Sequence, residues 1–322
     1  LPGSPKIFHG RDSELSEIVA ALTKDEARVA ILGPGGMGKT TLAAAAMHHP
    51  AILDKYSIQH FLSCESVMTG FELVALLGSH LGFESSGTPL QIIIQHFHQC
   101  GPCLLVLDNV ETPWEPLQSR EKVEDFLSAL ADVPSLALIT MRGAERPGKV
   151  KWSRPFLSPL KPLPISASRQ IFFEVADKPV TGEETALDEL LGLSGSLPLA
   201  VSLMANVVSF EGYSRTLSRW QQENTALLSD GYDKNSNLEK SIILSLSGPR
   251  MASQSAQDLL SLLSLLPDGI TMHDINASKV PISQISHSAS SLIRTSLAYM
   301  DTGGRLKSLV PIREYVQRVH PP

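Results

Sequence analysis

Residues 28–47, RVAILGPGGMGKTTLAAAAM, constrain this chain more than any other stretch. They open with an apolar, β-prone run after Arg28. Gly33, Pro34, Gly35, Gly36, Met37, Gly38, Lys39, Thr40 and Thr41 follow, and then an alanine-rich run of strong helix formers. A strand, a glycine loop and a helix start are the setting that a phosphate-binding loop requires. Glycines let the backbone wrap a phosphate without a Cβ in the way. The loop amides and the positive end of the helix face the anion. Lys39 reaches the outer phosphates as a point charge. Thr40 offers a hydroxyl to Mg²⁺, which prefers oxygen ligands.

A second stretch completes the pattern. Residues 103–108, CLLVLD, form a continuous apolar run ending in an acid, which reads as a strand buried on both faces. Such a strand puts Asp108 at the carboxyl end of a sheet, where α/β folds bind ligands. A carboxylate there holds the Mg²⁺ of a phosphate loop, directly or through water. Residues 135–141 read as another buried strand, and Arg142 follows it toward the same sheet edge.

Composition excludes several classes. The chain has 322 residues, 43% hydrophobic and 19% charged, so a packed protein of two or three domains is expected rather than disorder. Net charge is −6, which implies no basic face and no nucleic-acid partner. The longest apolar stretch, residues 197–210, is too short and too polar to span a bilayer. No secretory signal opens the chain, and the missing initiator methionine points to a segment of a longer protein. Cys64, Cys100 and Cys103 are too few for a disulfide framework and fit a reducing, cytoplasmic setting. Cys100-Gly101-Pro102-Cys103 spells a redox motif. A redox pair needs its first cysteine at a helix N-terminus, whereas here a strand follows at once, so a helix-to-strand turn is expected. His96 and His98 beside these cysteines match no common zinc spacing.

Along the chain, Asp12 or Ser13 is expected to cap a helix over residues 14–22. Strand 58–64 and helices 70–81, 90–99 and 123–130 surround strand 103–108. Proline-rich residues 149–164 read as loop with one short strand, 156–160. Beyond Ile165 the pattern turns helical: 166–178, 185–193, a long apolar helix opened by Pro198, then 216–228, 238–246, 257–266 and 288–295. A hairpin of strands 298–300 and 306–310 closes the chain.

Taken together these stretches resemble the NB-ARC group of STAND P-loop ATPases, which includes plant resistance proteins, the apoptosome ATPase and fungal relatives. Ile7, Phe8, Gly10 and Arg11 look like the lead-in that lies near adenine. Residues 33–41 are similar to the phosphate loop and 104–108 to the Walker B strand. Thr140-Met141-Arg142 resembles the sensor whose arginine reads the terminal phosphate. Residues 195–200, GSLPLA, with Pro198 and Leu199, resemble the motif whose proline packs on adenine. Residues 262–270 look like the lead-in to a winged helix. Two departures stand out. Asn109 occupies the place of a second acid, which makes slow hydrolysis the expectation. Glu111 replaces that acid only if strand 103–108 continues past Asn109 and then bends. Met272-His273-Asp274 spells the family's ADP-sensing triplet, but too early in the last domain. The stretch that fits by position is 309–315, which includes Arg313 and no histidine.

The resemblance implies an α/β P-loop domain with an AAA+-like parallel sheet (1–164), an all-α helical domain (165–235) and a winged-helix domain (236–322). It implies a signalling switch of the innate-immunity type, closed with ADP and open, self-associating, with ATP. Lys39, Asp108 and Arg142 would be catalytic, and Thr40 and Asp108 would hold Mg²⁺. ATP or ADP would be the cofactor, and effector and sensor domains would lie outside this segment. Two alternatives stay open: a continuously hydrolysing AAA+-type ATPase, and a nucleotide-binding scaffold without hydrolysis.

Overall fold

The computed structural model describes residues 1–83, 90–133, 136–140, 143, 145–179, 181–228, 238–248, 251–278, 280–301 and 303–320, with the backbone alone at 136–140, 241 and 244. Two compact units emerge. Leu1–Lys6, Arg11–Gly33 and Lys39–Leu160 form the first; Ile7–Gly10, Pro34–Gly38 and Lys161–Pro322 form the second.

In the first unit, α1 (Asp12–Leu22) leads to β1 (Arg28–Ile31), α2 (Lys39–Met47), α3 (Pro50–Lys55) and β2 (Ile58–Ser63). Then come α4 (Gly70–His80), α5 (Leu90–Gln99), β3 (Cys103–Asp108), α6 (Glu111–Trp114), α7 (Leu117–Ala131) and β4 (Leu136–Thr140). The four strands are parallel in the order β1-β4-β3-β2. All six residues of β3 are buried, which explains its unbroken apolar run. Leu105, Leu107, Phe97, Leu73 and Phe126 centre the core on one face of the sheet. Register puts Ile31 opposite Thr140, Leu107 opposite Ile139, and Ser63 opposite Asp108. The carboxyl ends of β1 and β3, followed by Gly33 and Asn109, therefore share one edge.

Several local expectations are corrected. Helix α1 begins at Asp12 without a side-chain cap, so neither Asp12 nor Ser13 caps it. Residues 156–160 form no strand. Pro155 and Pro159 lack the N–H groups a ladder needs, and the chain here meets β1 and the residue after it through isolated bonds, Ser153 N–H to Arg28 O, Arg28 N–H to Ser153 Oγ and Leu160 N–H to Leu32 O. The helix expected at 123–130 runs from Leu117.

The second unit is helical: α8 (Ile165–Val175), α9 (Glu184–Ser194), α10 (Pro198–Glu211), α11 (Tyr213–Glu223), a 3₁₀ turn (Asn224–Leu228), α12 (Leu238–Leu246) and α13 (Gln254–Ser264). Thus the helix expected over 216–228 ends at Glu223 and tightens. Beyond it lie β5 (Ile270–Thr271), α14 (Met272–Ala277), α15 (Ile285–Arg294), β6 (Tyr299–Met300), β7 (Arg305–Lys307) and α16 (Val310–Val319). The short strands form an antiparallel sheet ordered β5-β7-β6. The expected hairpin is there, shortened at its second strand because Val310 begins α16. Helix α10 buries Ala200, Val201, Met204, Ala205 and Val208, while Phe210 is 88% exposed. No helix among the described residues is long and apolar enough to cross a membrane.

Candidate nucleotide site

Gly33 follows β1, and its N–H donates to Gly143 O at 3.1 Å. Lys39 begins α2 and is 8% exposed; its ammonium donates to Gly33 O at 2.8 Å. An ammonium carries three donors, and this bond engages one of them. Thr40 Oγ1 donates to Asp108 Oδ2 at 2.8 Å, although the two residues are far apart in sequence. Asp108 Oδ1 accepts the Asn109 N–H at 3.0 Å, and Asp108 O accepts the Cys64 N–H at 2.8 Å.

The Thr40–Asp108 pair tests the fit for a metal. Ligands on adjacent vertices of a Mg²⁺ octahedron lie about 2.9 Å apart, given bonds of 2.0–2.1 Å. The observed 2.8 Å matches that spacing. Among the described residues no three histidine, cysteine or acidic side chains could enclose a metal. A cation here would keep water or phosphate as its remaining ligands, as Mg²⁺ does.

Between Gly33 and Lys39 the loop turns on glycines. Gly36 and Gly38 have φ of +74° and +84°, where a side chain is strained. Within the second unit, the Leu199 N–H donates to Gly36 O at 3.1 Å. A Cβ on Gly36 would lie 3.0 Å from Leu199 Cβ, and one on Gly38 would lie 4.0 Å from Pro198 Cγ. Met37 is buried, Pro34 and Gly35 are half-buried, and Thr40 and Thr41 are exposed.

Other expected site residues have definite places. Ile7, Phe8 and Gly10 are half-buried in the second unit. Gly10 has φ of +69°, and a Cβ there would lie 2.4 Å from Ala167 Cβ. Packing alone therefore demands glycine at this position. Arg11 is buried and bonds Glu14 Oε1 at 2.7 Å. Arg142 lies outside the described residues.

Past Asp108 the geometry departs from expectation. Strand β3 ends there, Asn109 takes φ of +58°, and Glu111 opens α6 and is buried. Glu111 is thus not on an extension of the strand. Burial, with Asp108 and Glu111 nearby, pushes the Cys64 thiol up to about 12. His273 is exposed on α14; Asp274 of the same triplet donates its N–H to the Thr271 hydroxyl that caps the helix, and its carboxylate accepts from that hydroxyl. That local bond accounts for the acid in the Met272-His273-Asp274 sequence.

The cysteine motif is a turn. Cys100 follows the C-terminus of α5, Gly101 has φ of +72°, and Cys103 starts β3. A helix C-terminus disfavours a thiolate, opposite to what redox chemistry needs. Nearby, His60 Nδ1 lies 3.2 Å from His80 Nε2, and Cys100 Sγ lies 3.3 Å from His96 Nε2. Burial first, then His80 and His96, holds His60 below the usual histidine range. A base depressed in the folded state binds more protons when unfolded. Stability is therefore intact above about pH 6.5 and falls as the pH drops below that value. Urea unfolding of the wild type at pH 7.5 and 5.5 is expected to show this loss, and His60→Gln is expected to shrink it. An undiminished loss in the variant would rule His60 out as its source.

Comparison with known proteins agrees with this geometry. Residues 2–147 match the family model described as Novel STAND NTPase 1. A search of curated proteins returned no match. The Walker-type ATPase PABY2304 of Pyrococcus abyssi is similar in structure at 14% identity and a TM-score of 0.67, over 99% of both chains. The ORC1 protein of Aeropyrum pernix, solved in complex with DNA, has 13% identity and a TM-score of 0.53, over 98% of this chain and 94% of that one. The ORC2 protein of the same organism has 14% identity and a TM-score of 0.52, over 98% and 95%. At these identities the structural likeness is one of fold. The family match covers residues 2–147, under half of the chain, so the chain is similar to that STAND model over its first part and shares its fold with these ATPase and ORC structures.

Proposed function

We propose that the chain binds ATP and ADP with Mg²⁺ and hydrolyses ATP slowly, as the nucleotide-binding core of a STAND switch of the NB-ARC kind. The observation that carries this reading is the 2.8 Å pairing of Thr40, at the start of the loop's helix, with Asp108, at the end of the buried strand. The loop amides and Lys39 would hold the phosphates, and Thr40 and Asp108 the cation. Bound Mg²⁺ supplies charge neutralisation at the transferring phosphate. Asn109 stands where a second acid would activate water, and an amide cannot take that proton. Well-placed general base help is worth about 10²–10⁴ in rate. Arg142 is the proposed reader of the γ-phosphate.

The finer assignments belong to the same reading. They are a P-loop domain (1–164), a helical domain (165–235) and a winged-helix domain (236–322). The antiparallel β5-β7-β6 sheet beside α13–α16 supports the winged-helix assignment. In this reading, exchange of ADP for ATP opens the domains and drives self-association in the cytoplasm, under sensor and effector parts elsewhere. The net charge of −6 argues for a protein partner rather than nucleic acid, although the A. pernix ORC1 neighbour was solved with DNA.

Calorimetric titration of ATP and ADP, with Mg²⁺, into wild type and Lys39→Ala tests the reading. An ionic contact to phosphate is worth about 1.5–3 kcal/mol. Lys39→Ala is therefore expected to weaken both nucleotides by roughly 10- to 150-fold. Equal affinity in the two proteins would sink the assignment. Single-turnover hydrolysis by the wild type reads the rate, and steady fast turnover would favour the AAA+-type alternative.

A further inference from the structure

The loop's conformation has a support that a phosphate-loop sequence does not itself encode. A trans peptide holds its C=O and N–H on opposite sides. Fixing the Gly36 carbonyl therefore fixes the direction of the Met37 N–H in the same peptide plane. The Gly36 carbonyl is fixed by the Leu199 N–H at 3.1 Å. Leu199 is the second residue of α10, after Pro198 at the first position, so its N–H is one of those no helical carbonyl can take. Helix and loop thus satisfy one another. The Leu199 side chain leaves little room for any residue larger than glycine there: its Cβ and Cδ2 lie 3.0 and 3.2 Å from where a Gly36 Cβ would stand. Positive φ at Gly36 and Gly38 is the left-handed backbone from which anion-binding nests of amides are built. A flip of the Gly36–Met37 peptide would break the bond to Leu199 and aim an oxygen where the amide had pointed.

We infer that the backbone N–H of Leu199 is a positioning group for phosphate binding, locking the Gly36–Met37 peptide in its anion-accepting orientation. This rests on the nucleotide reading above, but assigns Leu199 to the loop rather than to the adenine. It makes phosphate affinity depend on where α10 begins. A backbone amide does not titrate, so the lock is insensitive to pH.

The test replaces the Leu199 amide by an ester, through incorporation of the corresponding α-hydroxy acid. The ester removes the N–H and keeps the side chain. Leu199→Ala does the reverse. One hydrogen bond is worth about 0.5–1.5 kcal/mol net, or roughly two- to tenfold. The ester is expected to weaken ADP and ATP by about that factor and to leave AMP, which lacks the outer phosphates, unchanged. Leu199→Ala keeps the N–H and removes the side chain, so a smaller loss of ADP affinity than the ester's is expected, and a loss larger than the ester's would place the effect in the side chain and overturn the inference. An ester with wild-type ADP affinity overturns the inference, and so does an equal loss for AMP. Lys39→Ala measured alongside separates the two readings. If it too binds ADP normally, the nucleotide reading fails and this one with it.

Discussion

Asp108→Asn is expected to lower Mg²⁺-dependent ATP hydrolysis by about 100- to 1,000-fold, the usual cost of deleting one preorganised electrostatic group. The carboxylate is 4% exposed at the end of a fully buried strand. Each oxygen has a set role: Oδ1 accepts the Asn109 N–H and Oδ2 faces the Thr40 hydroxyl. Asparagine keeps the shape and one acceptor. Its amide can donate to Thr40 Oγ1, since a hydroxyl accepts as readily as it donates. The fold should therefore survive, with little change in the melting curve. What is lost is the negative charge beside the threonine hydroxyl, and with it the hold on a divalent cation. ADP binding without Mg²⁺ should persist, while the gain in affinity on adding Mg²⁺ should shrink. Hydrolysis within threefold of wild type at saturating Mg²⁺ would remove Asp108 from the chemistry.

The two halves of this pair were legible in the sequence because each obeys a strong local rule. The glycine loop needs a strand before it and a helix after it. A run such as CLLVLD has nowhere to go but the middle of a sheet. Their meeting at 2.8 Å is a matter of register, which β4 sets by pairing with both β1 and β3. What followed Asp108 was not legible. Extrapolating the strand kept Glu111 on its face, but Asn109 adopts a left-handed backbone and sends the chain into α6. Asparagine tolerates that conformation better than most residues, so Asn109 marks the end of the strand as well as the place of a missing acid. The same holds for residues 272–274, where a triplet suggestive of a sensor is a turn of helix capped by Thr271. Short elements escaped for lack of periodicity. Helix α3 has six residues, opened by Pro50 and capped by His49, and β5 has two.

In the sequence Arg28 merely precedes an apolar strand, yet it is the first residue of β1 and only 5% exposed. Its guanidinium spreads over the end of α7. Nε donates to Ala131 O at 2.7 Å, Nη1 to Ala27 O at 2.9 Å, and Nη2 to Ala131 O and Val133 O. Ala131 is the last residue of α7, so its carbonyl is one that the helix cannot satisfy internally, while Val133 lies two residues past the helix and Ala27 just before β1. The positive charge also meets the negative end of the helix dipole. Burial pulls the guanidinium below the usual arginine range, opposed by Glu26 and Asp132. It stays charged at every accessible pH. Arg28→Met fills the space but leaves the three carbonyls with no donor from this side chain. A lost hydrogen-bond partner costs about 1–3 kcal/mol per buried group, and here neutral carbonyls rather than a charge are left behind. The first unit is expected to lose about that much. Arg28→Lys should lose less, since an ammonium keeps the charge but cannot reproduce the planar fork. Hydrogen exchange of the α7 amides reads the effect locally, without requiring that the two units unfold together. A loss below about 1 kcal/mol would mean that water replaces the guanidinium at this helix end, and that Arg28 is there for its charge alone.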